Sequence, residues 1–143
     1  MTLQLPLSTR QLLVNTLADL MDVGTAQGTG SVQFIDSGDV QLALIDENAN
    51  VLQPALPFFG PAVPVNGTTD GAPMTISNIE DDSLTVGNGN PIVFAVFRNR
   101  DQIEQFRSDV ATASADIIMT NPIPSTNDPV RLSTYQVRAV QDN

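Results

Sequence analysis

The 143-residue chain has no cysteine, no histidine, no tryptophan and no lysine; its six cations are all arginine, at Arg10, Arg98, Arg100, Arg107, Arg131 and Arg138. Each absence removes chemistry. Without cysteine there is neither a disulfide nor a thiolate metal site, and without histidine a zinc centre also lacks its other usual donor. General acid–base work at neutral pH is left to carboxylates shifted by burial. A nucleophilic serine would have only carboxylates or the amino terminus as its base. The paired carboxylates of a glycosidase stay within the available alphabet, yet sugar-cleaving grooves use aromatic platforms, and here there are one Tyr and six Phe. The expectation is a protein that is not an enzyme and carries no cofactor or metal.

Positive charge is equally scarce, and the formal net charge is −10. Phosphate backbones are bound by clustered Lys and Arg, and anionic membranes attract the same residues, so neither nucleic acid nor membrane is an expected partner. Residues 1–10 lack a basic start and an unbroken apolar run, with Pro6 interrupting them, so no targeting segment is expected. No stretch approaches the roughly 18 apolar residues of a membrane span. Asn66-Gly67-Thr68 fits a glycosylation sequon but reads as a turn.

What is present suits one domain over residues 1–143: an extended arm at 1–7, a helix at 8–24 and a β-sandwich at 25–143. Ser8 and Gln11 have the spacing of a capping box, and Leu7 can staple onto Leu12. Leu13, Leu17, Leu20 and Met21 recur at helical spacing with Asp19 and Asp22 outside the stripe, and Gly24 suits a C-terminal cap. The stripe reads as core docked on a sheet, with a partner-binding face as the sharper alternative.

Beyond Thr25 the pattern becomes short apolar runs between turn residues. Strands are expected at 31–36 and 40–46 around Ser37-Gly38-Asp39, then at 51–56, 72–79, 91–98, 116–121 and 130–140. Five prolines surround Phe58-Phe59-Gly60 and suit an edge strand or crossover anchored by the two aromatics. The unbroken Ile92–Phe97 run suits a strand buried on both faces. Residues 101–113 fit a helix or a strand equally, since Ile103, Phe106 and Val110 have helical spacing. About eight short strands with turns every 8–12 residues make a mainly β fold, a β-sandwich with one N-terminal α-helix.

Few residues suggest a site. Asp46-x-Asn48-x-Asn50 opens like a calcium loop, but Val51 and Pro57 stand where glycine and a bidentate Glu are required, so it reads as a hairpin turn. Glu80-Asp81-Asp82 reads as a solvated loop or as a cation site between copies. Gly24, Gly28 and Gly30 do not have the spacing of a phosphate cradle. Arg98, Arg100 and Arg107 cluster in a chain poor in cations; they suit carboxylates across a subunit interface, or an ordinary exposed hairpin. Leu3, Leu5 and Leu7 alternate with polar residues, as in a strand added to a neighbour's sheet.

The order of these pieces resembles a group of small proteins encoded among bacteriophage and prophage virion genes. The likeness rests on Leu17, Leu20, Asp22, Gly24 and Thr25, then Gly28-Thr29-Gly30, Pro57 to Gly60, Ala72 to Ile76, Phe97-Arg98 and Ser114 to Ile117. It spans about Leu12 to Val140, although the chain has Arg107-Ser108-Asp109 and Ala111 where the group is richer in glycine, and lacks the tryptophan expected near Phe97. The resemblance implies a β-hairpin turning near Arg100-Asp101, no catalytic residues, and a virion structural role. A capsid decoration protein bound to itself and to the major capsid protein on the particle exterior comes first. A tail, neck or baseplate accessory comes second, and a carbohydrate- or receptor-binding module third. Interface residues expected on this reading are Leu3, Leu5, Leu7, Phe58, Phe59, Arg98, Arg100 and Arg107.

Overall fold

A computed structural model describes residues 5–28, 30–45, 63–65, 69–73, 79–80, 85–128, 130–132 and 135–139. The fold is mainly β with one helix, α1 (Leu7–Leu20). Among the described residues there are ten strands: β1 (Ser31–Ile35), β2 (Gln41–Ile45), β3 (Val63–Val65), β4 (Thr69–Pro73), β5 (Ile79–Glu80), β6 (Phe94–Arg98), β7 (Glu104–Ala111), β8 (Ile117–Ile118), β9 (Arg131–Leu132) and β10 (Gln136–Ala139). Five of them form a sheet in the order β2-β1-β6-β7-β8; β10-β4-β3 form a second and β5-β9 a third. Pairing is antiparallel throughout except between β7 and β8.

The centre of the large sheet is β6, the segment with the longest apolar run. Ala95, Val96 and Phe97 are all buried, as an unbroken run requires of a strand covered on both faces. Register places Phe97 opposite Val32 on one side and Phe106 on the other. The Phe97 ring stacks between Phe106, 4.6 Å away, and Tyr135, 4.7 Å away. Val32, Phe34, Ala43, Ile45, Ala95, Val110 and Ile117 extend this layer. Residues 101–113 therefore resolve as a turn and a strand. Asn99 anchors the turn: its side-chain carbonyl accepts from the amides of Asp101 and Ile103, both at 3.0 Å.

Three expectations about α1 are corrected. The capping box at Ser8 does not form, because the cap is Pro6 (φ −65°, ψ 161°), whose carbonyl accepts from the amides of Thr9 and Arg10. Proline's fixed φ starts the helix one residue early, which leaves Ser8 inside the first turn, where its hydroxyl cannot cap. The helix also ends at Leu20 rather than at Gly24, tapering through the amides of Met21, Asp22 and Val23 onto carbonyls three residues back.

The third correction concerns the buried face. Val14, Ala18 and Met21 join the core together with Arg10, and Leu17 packs against it from the side. Leu13 and Leu20 face outward instead. Two apolar stripes coexist on this helix, and α1 runs against β4 and β10. The smaller Val14 and Ala18 allow a closer approach than leucines would.

Gly24 closes the approach from helix to sheet. Its φ is +111°, and a Cβ there would lie 2.6 Å from the Asp101 carboxylate and 2.7 Å from the Asp101 amide nitrogen. Only glycine combines that backbone with that proximity. The amides of Thr25 and Ala26 then donate to Asp101 Oδ1 at 2.8 and 3.1 Å, and Arg100 donates its amide to the Val23 carbonyl at 2.9 Å. The β6–β7 turn thus clamps the segment that follows α1.

Candidate interaction surface

Among the described residues, α1 carries Leu7, Leu12, Leu13 and Leu20 exposed, while Val40, Val86, Ile103, Ile118 and Ile123 are exposed elsewhere. Leu12 is 64% exposed, Leu13 51% and Leu20 39%, with Val23 at 52% just past the helix. The helix contributes one exposed charge, Asp19, because its single cation, Arg10, is buried. Thr9, Leu13, Thr16 and Leu20 follow one another on α1 at spacings of four and three, which sets them in one row along the axis. Isolated exposed leucines need no explanation; here several of them share one helix with a single exposed charge, on a chain of net charge −10.

The arm expected at residues 1–7 is shorter than the alternation implied. Leu7 is the first helical residue and is 38% exposed. Leu5 is half-buried, and its carbonyl accepts from Arg10 Nη1 at 2.7 Å, which ties it back to its own helix. Leu3, Phe58 and Phe59 lie outside the described residues, as do Asp81, Asp82, the Asp46 to Asn50 turn and the Asn66 to Thr68 sequon. Glu80, on β5, pairs in register with Arg131.

The structure separates the three clustered arginines. Arg107 grips Glu104 through Nε–Oε1 at 2.5 Å and Nη2–Oε2 at 3.1 Å, and its Nη1 reaches Asp39 at 3.3 Å. Its guanidinium also lies 5.5 Å from the centre of the Phe94 ring. Glu104 lies three residues before Arg107 on β7, next to the register shift opposite Phe97/Arg98. Hydrogen bonding to Arg107 holds the Glu104 carboxyl below the usual range, and the same bond raises the Arg107 guanidinium. Arg98 donates from Nε to Ser31 Oγ at 3.2 Å, and Arg100 from Nε to the Gln27 carbonyl at 2.7 Å. Each guanidinium is thus engaged within the chain, and Arg107 meets carboxylates of its own subunit.

A polar cluster that the sequence reading passed over lies at the β1–β2 hairpin. Asp36 is 2% exposed. Its Oδ1 accepts from the amides of Gly38 and Val40 at 2.8 and 3.0 Å, and its Oδ2 from the side-chain amides of Asn88 and Asn90, both at 3.0 Å. Those bonds, Asn90 first, lower its pKa to about 2. The carboxylate is saturated by donors and joins the hairpin to the loop leading into β6. Asp-x-Gly and Asn-Gly-Asn were the available signals, since both are turn sequences with side-chain acceptors or donors.

Among the described residues, no group of three or more metal-ligating side chains gathers, and no helix is long and apolar enough to cross a membrane. No protein-family model, curated protein or solved structure matches the chain. The surface therefore has to be read from its own chemistry.

Proposed function

We propose that the chain is a bacteriophage virion structural protein, most plainly a capsid decoration protein present in many copies on the outer shell, with itself and the major capsid protein as partners. The observation that carries this reading is the uncovered leucine row of α1: a fold that keeps Arg10 inside and leaves Leu12, Leu13 and Leu20 outside leaves a contact face uncovered. The virion motifs read from the sequence supply the setting. Net charge supports an exterior position, since a −10 surface facing packaged DNA would meet like-charge repulsion. On this reading α1 and the β10-β4-β3 sheet form the second layer of an eight-stranded sandwich over the five-stranded sheet.

The test is the number of copies per particle, measured by quantitative mass spectrometry of purified virions. Hundreds of copies are expected for decoration. About six to a dozen would place the chain at the tail or neck instead, and its absence from particles that bind no added protein would end the virion reading. Glycan binding by the isolated chain would favour a receptor-binding module.

A further inference from the structure

The loop that holds Asp36 reads Asn88-Gly89-Asn90-Pro91, and its two asparagines differ in chemistry. Both donate their side-chain amides to Asp36 Oδ2 at 3.0 Å. An asparagine side chain is open to attack by the backbone nitrogen of the next residue when that nitrogen has a proton to lose and no hydrogen bond to hold it. Pro91 has no such proton, so Asn90 is closed to this route. Gly89 has one. We propose that Asn88 is a self-modifying site: the Gly89 amide displaces ammonia from its side chain, and the acidic product releases the loop from the β1–β2 hairpin. The reaction needs no partner and stands apart from the virion reading.

Three observations select Asn88 among the six asparagines of the described residues. The first is the nucleophile. The amide after Asn15 belongs to the ladder of α1, that after Asn99 donates to the Val23 carbonyl at 2.9 Å, and that after Asn127 to the Ser125 carbonyl at 3.0 Å. Asn90 and Asn121 precede prolines. Among the described residues, only the Gly89 amide follows an asparagine and has no hydrogen-bond partner. The second is access. Asn88 and Gly89 are exposed, and nothing lies within 4 Å of where a Gly89 Cβ would stand. The third is charge. Asn88 Oδ1 accepts from the Asn90 amide at 3.0 Å, a donor placed to hold the negative charge that gathers on that oxygen as Cγ is attacked.

The Gly89 nitrogen loses its proton to solvent and bonds to Asn88 Cγ. The Cγ–Nδ2 bond breaks, and Nδ2 takes up a proton from solvent and leaves as ammonia. Water then opens the succinimide at either carbonyl, giving aspartate or isoaspartate at position 88. One water is consumed, one ammonia is released and nothing is oxidised. The product has lost a donor to Asp36 and, as aspartate, sets a second carboxylate beside one that its donors keep ionised. Those like charges repel, and the loop separates from the hairpin.

The full chain held at mildly alkaline pH, sampled over weeks and mapped by peptide mass spectrometry, tests this. Asn88 should convert to a mixture of aspartate and isoaspartate at least about tenfold faster than Asn15 or Asn99. Asn66-Gly67, outside the described residues, supplies a second Asn-Gly step in the same sample. Asn88 intact while Asn66 converts, both intact, or Asn88 no faster than Asn15 and Asn99 would each overturn the proposal. For the release, Asn88→Asp should unfold at a lower urea concentration than both the unaltered chain and Asn88→Ala, the second comparison separating repulsion from loss of a donor. If Asn88→Asp failed to fold, urea unfolding of the aged chain, fractionated by charge, would read the same loss. A converted chain as stable as the unaltered one would overturn the release.

Discussion

Asp36 shows how a single carboxylate can set the acid limit of a hairpin. Four N–H donors favour its ionised form and bring the folded pKa down to about 2 from 3.8. A depressed folded pKa contributes stability that is present above the unfolded value and is lost as pH falls through the folded one. That contribution is complete above pH 4 and fades between about pH 4 and pH 2. Asp36→Asn should therefore lower the melting temperature near neutrality, and the gap to the unaltered chain should narrow on acidification through that window. Thermal unfolding from pH 7 to pH 2 measures it, and a gap independent of pH would show that the ionised form is not what the donors hold. Gly24→Ala has a backbone cause: with φ at +111° and Asp101 within 2.7 Å, it should destabilise by about 1–3 kcal/mol in denaturant unfolding. Gly24 was legible as punctuation after a helix. Its partner was not, since Asp101 lies 76 residues along the chain from Thr25, where no local pattern reaches.

At the scale of elements, α1 carries two apolar stripes, and the structure decides between them. Met21 is fully buried and Leu13 is 51% exposed. Met21→Ala should cost about 2–5 kcal/mol, whereas Leu13→Gln, which keeps helix propensity, should change stability by less than about 0.5 kcal/mol. Equal losses at the two positions, read by urea unfolding, would mean that the helix is rotated. The largest effect on the sheet should come from Phe97→Ala, which removes the ring stacked between Phe106 and Tyr135 and should cost about 3–5 kcal/mol. The β1–β2 hairpin and the buried β6 run were legible because period and turn residues are local signals. The orientation of α1 was not. Leu13 and Val14 are adjacent and both apolar, and only tertiary packing buries the smaller one. Residues 101–113 were ambiguous for a similar reason: Ile103, Phe106 and Val110 fit a helix until pairing with β6 draws Phe106 and Val110 into β7 and leaves Ile103 in the turn before it.

Across the whole molecule, charge and apolar surface are distributed unevenly. The chain carries 16 acidic residues against six arginines, yet the outer row of α1 is almost uncharged. On the proposed reading such a surface meets its partner through the neutral row, so salt should promote assembly rather than dissolve it. Arg107 is engaged by Glu104 and Asp39 within the chain, so a change there should move hairpin stability more than assembly. The most direct test of the central claim is hydroxyl-radical footprinting of Leu12, Leu13 and Leu20, comparing dilute chain with chain bound on particles. Strong labelling of all three in the dilute chain and protection on the particle is the predicted result. Protection already in the dilute chain, or equal labelling in both states, would contradict it.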